Sequence, residues 1–246
     1  FEETGADQVL NGDFSQEGSE EITNGDFATN TDWTLGTNTA ISDGRMNFSN
    51  STDGSFQSGV TANSTSYKIT YQVSNYVSGN VSVTLNGTPP SGGISRSSNG
   101  IFTEYIQSPS TSFGTFLFNA VGFTGSIDNV SVVEVGQNWT LSSGTSITAL
   151  GARITHTPTA GTAGQGALVI GQNYKFTYEI TESISGSLKI NSAVDTSMVT
   201  SVGTHTKYFK ADGATFSLSR TNSTSNDVTI TNISLEEVGQ EWILSD

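Results

Sequence analysis

Few side chains in this sequence can do chemistry near neutral pH. Only His156 and His205 are bases of the right strength, and both fall in the second half of the chain. His156 lies on a predicted strand near Arg153, where a surface or strand-lining histidine is the plainer reading. Glu20-Glu21 and Glu236-Glu237 place acids side by side. Neighbours on a strand point to opposite faces, so neither couple makes an acid–base pair. A glycosidase needs two carboxylates facing one cleft at about 5–10 Å, and no local motif marks such a pair. Serine and threonine abound, yet no Gly-x-Ser-x-Gly elbow with a supporting histidine occurs. A Gly-x-x-x-x-Gly-Lys phosphate loop and a His-Glu-x-x-His zinc motif are also missing. There is no cysteine, which excludes disulfides, thiolate metal sites and thiol nucleophiles. The residues point away from an enzyme.

A sugar-binding surface asks for different groups: an aromatic face, and polar side chains that grip hydroxyls. Tyr76, Phe113 and Phe123 stand in or beside expected loops and are the candidate glycan-binding faces. Tyr105 and Tyr208 recur at matching stations, which reads as structural. So do Trp33 and Trp139, which are expected in the core. The charge balance limits partners further. Nine Lys and Arg against 23 Asp and Glu leave a formal charge of −14. So few cations cannot build a large phosphate-binding patch, so nucleic acid is not expected as a partner. No apolar run approaches the roughly 18–20 residues of a membrane span, so no membrane insertion is expected.

The elements that would position these groups are strands. Only 13% of the 246 residues are charged, while Gly, Ser, Thr and Asn abound; surface helices favour the opposite composition. Tyr67, Ile69, Tyr71 and Val73 alternate with Lys68, Thr70 and Gln72, a strand with one buried face. Tyr174, Phe176, Tyr178 and Ile180 repeat the pattern. Val81, Val83 and Leu85 mark another strand, Phe116 and Phe118 another. Val130 with Val132, then Ile233 with Leu235, mark the last strand of each repeat. Asp43-Gly44, Asp53-Gly54, Asn86-Gly87, Asn99-Gly100 and Asp212-Gly213 are turn signals between strands. Short strands at this spacing predict all-β architecture: tandem antiparallel β-sandwich domains, jelly-roll-like.

The chain repeats itself. Asp32-Trp33-Thr34-Leu35, Asn138-Trp139-Thr140-Leu141 and Glu241-Trp242-Ile243-Leu244 recur at spacings of 106 and 103 residues. Asn129 to Gly136 matches Asn232 to Gly239. Phe1 to Gly5 resembles Leu235 to Gly239, and Gln240 to Asp246 resembles Gln137 to Ser143. The expected order is therefore the end of a preceding repeat plus a joint over 1–23, a sandwich over 24–136, a second over 137–239, and the start of a following repeat over 240–246. Asn11-Gly12-Asp13-Phe14 recurs as Asn24-Gly25-Asp26-Phe27 thirteen residues later. It reads either as a local duplication or as a longer joint.

Asn24-Gly25-Asp26-Phe27, Asp32-Trp33 and the closing Ser126-Ile127-Asp128-Asn129-Val130-Ser131-Val132 carry a resemblance. They resemble carbohydrate-binding-module-like jelly rolls of the family 4/9/22 type, which also occur in bacteriophage tail-fibre and other surface proteins. The resemblance covers residues 24–136 directly and 137–239 through the internal repeat. It implies a structural calcium where the opening turn meets the last strand, with Asp26 and Asp128 as the matching metal carboxylates. The second repeat departs from that pattern: it has no Asn-Gly-Asp-Phe of its own, and Thr231 stands where Asp128 does. Calcium is therefore expected in the first repeat only. The functional expectation is a non-enzymatic structural segment of an extracellular or virion-surface fibre, with other copies or flanking repeats and surface glycans as partners. The alternatives are a carbohydrate-binding array on a secreted polysaccharide-degrading enzyme, and a bacterial surface adhesin.

Overall fold

The structure is a computed structural model. It describes residues 4–142, 144–156, 161–166, 168–193, 196–221 and 225–239; the opening of a further repeat expected over 240–246 lies outside them. The described residues contain strands, turns and loops and no helix. In chain order the strands are β1 (Thr4–Asp7), β2 (Glu17–Glu20), β3 (Thr39–Ser42), β4 (Arg45–Ser51), β5 (Gly54–Ser58), β6 (Ser66–Gly87), β7 (Ser91–Gly92), β8 (Gly100–Gln107) and β9 (Ser112–Val135). They continue as β10 (Thr140–Leu141), β11 (Thr145–Thr148), β12 (Gly151–Thr155), β13 (Thr162–Gln165), β14 (Asn173–Ser185), β15 (Leu188–Ile190), β16 (Gly203–Lys210), β17 (Phe216–Arg220) and β18 (Asp227–Val238). Every strand pairing between them is antiparallel.

The chain divides into two compact units, but not in the expected order. One unit is Glu17–Val135; the other joins the first sixteen residues to the chain from Gly136 onward. The first is thus inserted into the second, and we call them the inserted and host units. This corrects the assignment of 1–23 to a preceding repeat plus a joint. Residues 4–16 open the host unit, and residues 17–23 already belong to the inserted one. It also corrects the view that the second repeat lacks an Asn-Gly-Asp-Phe opening: Asn11-Gly12-Asp13-Phe14 is that opening. The physical reason is strand pairing. β1 has its partner in β18, with Thr4 opposite Val238, while β2 pairs with β9, with Glu17 opposite Val135. Because Glu17 and Val135 are neighbours, the inserted unit leaves the chain where it entered, and a surface loop can accept it.

In the inserted unit β6 and β9 run through both layers of the sandwich. The first half of β6, Tyr67 to Val73, pairs with β8 and with the end of β9. The second half, Val81 to Leu85, pairs with Ala120 to Phe116 and with β7. Register shifts between Ser74 and Asn80 fall where β6 passes from one layer into the other; a further shift between Thr70 and Gln72 lies within the first half. Tyr67, Ile69, Tyr71 and Val73 are buried while Lys68, Thr70 and Gln72 face outward, as their alternation predicts. One core cluster unites them with Val81, Val83, Leu85, Phe116, Phe118 and Phe123. The host unit follows the same path with its two long strands broken. β11-β12-β18-β14-β16 form one sheet, with β1 added on β18, and β10-β13-β17-β15 the other. Tyr174, Phe176, Tyr178 and Ile180 are buried there, stacked in part as the Phe176–Tyr178 pair at 4.5 Å.

Candidate functional site

Each unit has a sheet whose outer face follows directly from the tryptophan motif. In the inserted unit Thr34 bridges to Phe56, Phe56 lies opposite Leu117, and Leu117 lies opposite Thr84. The flanking residues Ser55, Gln57, Phe116, Phe118, Val83 and Leu85 are buried, so this row points away from the core. Along that face Ser82 and Asn119 form the pair on one side of Thr84 and Leu117, and Asn86 and Thr115 the pair on the other. Phe56 and Leu117 are half-buried, and Asn119 is exposed. The face is an aromatic ring and a leucine at the centre, with hydroxyl and amide side chains around them.

The host unit carries the same row with different residues. Thr140 lies opposite Gly164, and Gly164 opposite Ser217. Where the inserted unit has Phe56 and Leu117, the host has a glycine and a serine. The loss of the ring leaves a cavity of about 200 Å³ lined by Thr140, Thr162, Gly164, Gln165, Thr215 and Ser217. Such a space is below the roughly 300–1,000 Å³ of drug-sized ligand sites, and it is walled by threonine and serine side chains, glycines and Gln165. It suits one small polar group.

The residues singled out from the sequence fall elsewhere. Phe123 is 0% exposed and meets Phe48 at 5.3 Å, so it cannot offer a face to a sugar. It sits in the core because it lies on the inward phase of β9. Tyr76 packs against the same core, with its ring 6.3 Å from Phe123 and its hydroxyl donating to Gly79 O at 3.2 Å. Phe113, at the start of β9, is 59% exposed and is the one member of the three with a free face. Phe56 was missed because its strand is short and the alternation around it, Ser55 and Gln57, buries polar residues rather than apolar ones.

The expected calcium ligands do not gather into a metal cage. The opening turn does meet the last strand, with Val130 N donating to Gly25 O at 2.9 Å. Asp26 accepts from Ala28 N at 3.3 Å, and Asp128 from Asn129 N at 2.7 Å. Arg45 Nε stands 3.8 Å from the other oxygen of Asp128. Calcium takes six to eight oxygens, and a guanidinium at one ligand repels it. Among the described residues no group of three or more His, Asp or Glu side chains could hold a metal.

One acid, Glu104, is buried in the inserted unit. Glu104, 7% exposed, accepts from Tyr71 OH at 2.8 Å and Ile94 N at 2.7 Å, and Arg96 lies 3.3 Å away. Arg96 in turn lies over the Phe102 ring at 4.5 Å. Burial, and next the Glu104 charge, push the Tyr71 phenol above its ordinary value. A carboxylate held by these three donors fixes β8 to β6. His205 Nε2 is engaged with Ser201 O at 2.7 Å. Arg153, beside His156 in the sequence reading, forms a two-pronged pair with Asp227 at 2.6 and 2.5 Å.

No protein-family model matches the chain, and no curated protein matches it. Among solved structures it is similar to the N-terminal CBM22-1–CBM22-2 tandem domain of Xyn10C from Paenibacillus barcinonensis. The identity is 8% and the TM-score 0.34, over 91% of this chain and 98% of that one. A likeness at that level carries no argument about ligand or activity; the all-β architecture rests on the strands themselves.

Proposed function

We infer that the chain is a non-catalytic segment of an exposed, extracellular protein, and that it binds a neutral glycan on the outer sheet face of the inserted unit. The observation behind this reading is the Phe56 ring at the centre of a face otherwise made of Leu117, Ser82, Thr84, Asn86, Thr115 and Asn119. A sugar ring offers C–H groups to an aromatic face and hydroxyls to amides and alcohols around it. Strand pairing holds these side chains in place before the ligand arrives, which lowers the ordering cost of binding. The charge of −14 opposes acidic polysaccharides and favours neutral ones. The test is affinity electrophoresis of the intact protein in gels containing xylan or mixed-linkage β-glucan. Retardation by at least one of them is expected, and Phe56→Ala should abolish it while the protein stays folded with a cooperative melting transition. Free migration in every neutral polysaccharide gel, or retardation unchanged in Phe56→Ala, removes this face from consideration.

A second reading, a structural segment of a virion or cell-surface fibre, is favoured by the duplicated unit and by its chain path. Two strands of chain cross from host to inserted unit, at Gln16–Glu17 and at Val135–Gly136. A doubly connected repeat resists separation better than one on a single linker. Electron microscopy of the particles or cells that carry the protein, with labelled antibody against this segment, distinguishes a filament from a dispersed secreted module.

A further inference from the structure

The outer rows of the two units match station by station. In the inserted unit the row runs Thr34, Phe56, Leu117, Thr84. In the host it runs Thr140, Gly164, Ser217 and then Asn191, whose N–H donates to Ser217 O at 2.8 Å. Only the threonine is common to both. The two stations without bulk in the host, Gly164 and Ser217, are neighbours across the sheet, so the space they leave is continuous. It is the cavity of about 200 Å³, and none of the described residues that wall it is charged or aromatic.

The walls carry hydrogen-bonding groups that the protein does not use. The hydroxyls of Thr140, Thr162 and Thr215 make no hydrogen bond to the described residues. Ser217 is oriented by a chain of bonds: Ser219 Oγ donates to Asn191 Oδ1 at 2.6 Å, and Asn191 Nδ2 donates to Ser217 Oγ at 3.0 Å. Ser217 Oγ therefore accepts from behind and keeps its own proton to donate into the recess. Gln165 is a fixed wall, 8% exposed. Its amide is engaged with Leu10, whose N donates to Oε1 at 3.1 Å and whose O accepts from Nε2 at 2.6 Å. Size and chemistry then select the ligand. A cavity of roughly 150 Å³ takes up a benzene-sized ring, so this recess holds one six-membered ring with its substituents. An apolar ring would leave the hydroxyls unsatisfied. A charged one would find no counter-charge in the walls, and a planar base no aromatic side chain to stack on. A saturated ring with hydroxyls around its edge fits: it meets donors and acceptors with its own.

We propose that this recess of the host unit is a second sugar site, which takes one neutral pyranose unit, as a free monosaccharide or as the end of a chain, on the hydroxyls of Thr140, Thr162, Thr215 and Ser217. The two units then differ in what they take. Phe56 and Leu117 fill the inserted face, so a chain lies across it; the host recess admits a single unit. The inference rests on the glycan reading above for the kind of molecule bound, and on none of the inserted unit's residues.

Amide chemical shifts of the intact, isotope-labelled protein test it, because they read each unit separately. Glucose, xylose, galactose and mannose are titrated one at a time, with glycerol as an acyclic control. At least one sugar should shift the Gly164, Gln165 and Ser217 amides saturably. Glycerol should act at least about tenfold more weakly, since a flexible polyol loses rotamer freedom that a ring does not have. Ser217→Leu, which puts the leucine of the inserted unit at this station, should abolish the shifts. Thr140→Val keeps the shape and removes one hydroxyl; it should weaken binding about three- to tenfold, and it serves if Ser217→Leu does not fold. A linear oligosaccharide of the sugar that binds separates the two sources. Equal or tighter binding at the same amides marks a chain end, and no shift there marks a free monosaccharide. The proposal is overturned if none of the four sugars shifts these amides saturably, if glycerol matches them, or if the shifts are indifferent to the substitutions. Failure of the Phe56 face is read elsewhere, in the retardation of the protein by polysaccharide gels, so either site can fail without the other.

Discussion

Trp33 shows how one residue ties opening, core and site together. Its ring touches Phe27, Phe116 and Phe118 at 5.4, 6.2 and 6.1 Å, and its indole N–H is used by Asn24 O. Thr34, the next residue, begins the outer row that leads to Phe56. Trp33→Ala should cost about 3 kcal/mol, the lower end for a buried aromatic because the ring is only half-buried; thermal melting measures it. Glu104→Ala should cost about 3–5 kcal/mol, since Arg96 would be left without its buried partner. A smaller loss in denaturant titration would show that Arg96 reaches water. Asp13 makes the pH prediction. Ser15 Oγ and Ser15 N donate to its carboxylate at 2.7 and 3.1 Å, and hold it below the usual carboxylate range. A depressed carboxyl stabilises the fold above its unfolded pKa and ceases to as pH falls through the lower folded value. The stability advantage of the wild type over Asp13→Asn should therefore be constant above about pH 5 and shrink below about pH 4. Chelation should leave both melting transitions where they are, because Asp26 and Asp128 are engaged with the protein itself.

At the scale of the element, the Asn-Gly-Asp-Phe opening turn is the most constrained piece. A Cβ on Gly12 would fall 1.9 Å from Ile233 O, and one on Gly25 2.1 Å from Val130 O. Only glycine allows the turn to lie this close to the last strand. Phe14 and Phe27 both have positive φ, 59° and 50°, a rare state for a bulky residue. Such strain costs of order 1–3 kcal/mol, and the burial of each ring offsets it. Gly25→Ala should push the opening turn off β9 and destabilise the inserted unit by about 3 kcal/mol, at the top of the ordinary range for one substitution. Gly12→Ala should act on the host unit in the same way. Hydrogen exchange at Val130 and Ile233, whose amides bond these turns, reads each effect separately. Protection that survives the substitution would show that the turn can shift.

At the scale of the molecule, the insertion leads to a design test. If residues 17–135 are removed and Gln16 is joined to Gly136, Phe14 and Trp139 become six residues apart, the same spacing as Phe27 and Trp33. The shortened chain should fold as one sandwich with a single cooperative transition. The excised segment 17–135 should also fold alone, because its ends are already paired through Glu17 and Val135. Circular dichroism and melting of the two proteins check this. If the shortened chain is unfolded while the intact one is folded, the host unit depends on more than its own strands.

Much of this was legible in the residues. Period-two alternation at Tyr67–Val73 and Tyr174–Ile180 marks buried strand faces, because side-chain direction on a strand is set by the backbone alone. The tryptophan frame and the two Asn-Gly-Asp-Phe turns likewise show the repeat and its opening. What the sequence left undecided was which opening belongs to which body, since strand pairing is a contact between residues far apart in the chain. Only the pairing of Thr4 with Val238, and of Glu17 with Val135, made one unit an insertion in the other. Which aromatic faces outward was undecided for the same reason. Phe123 and Phe56 are both aromatics on strands, and the phase of their neighbours across the sheet turned one to the core and the other to the surface.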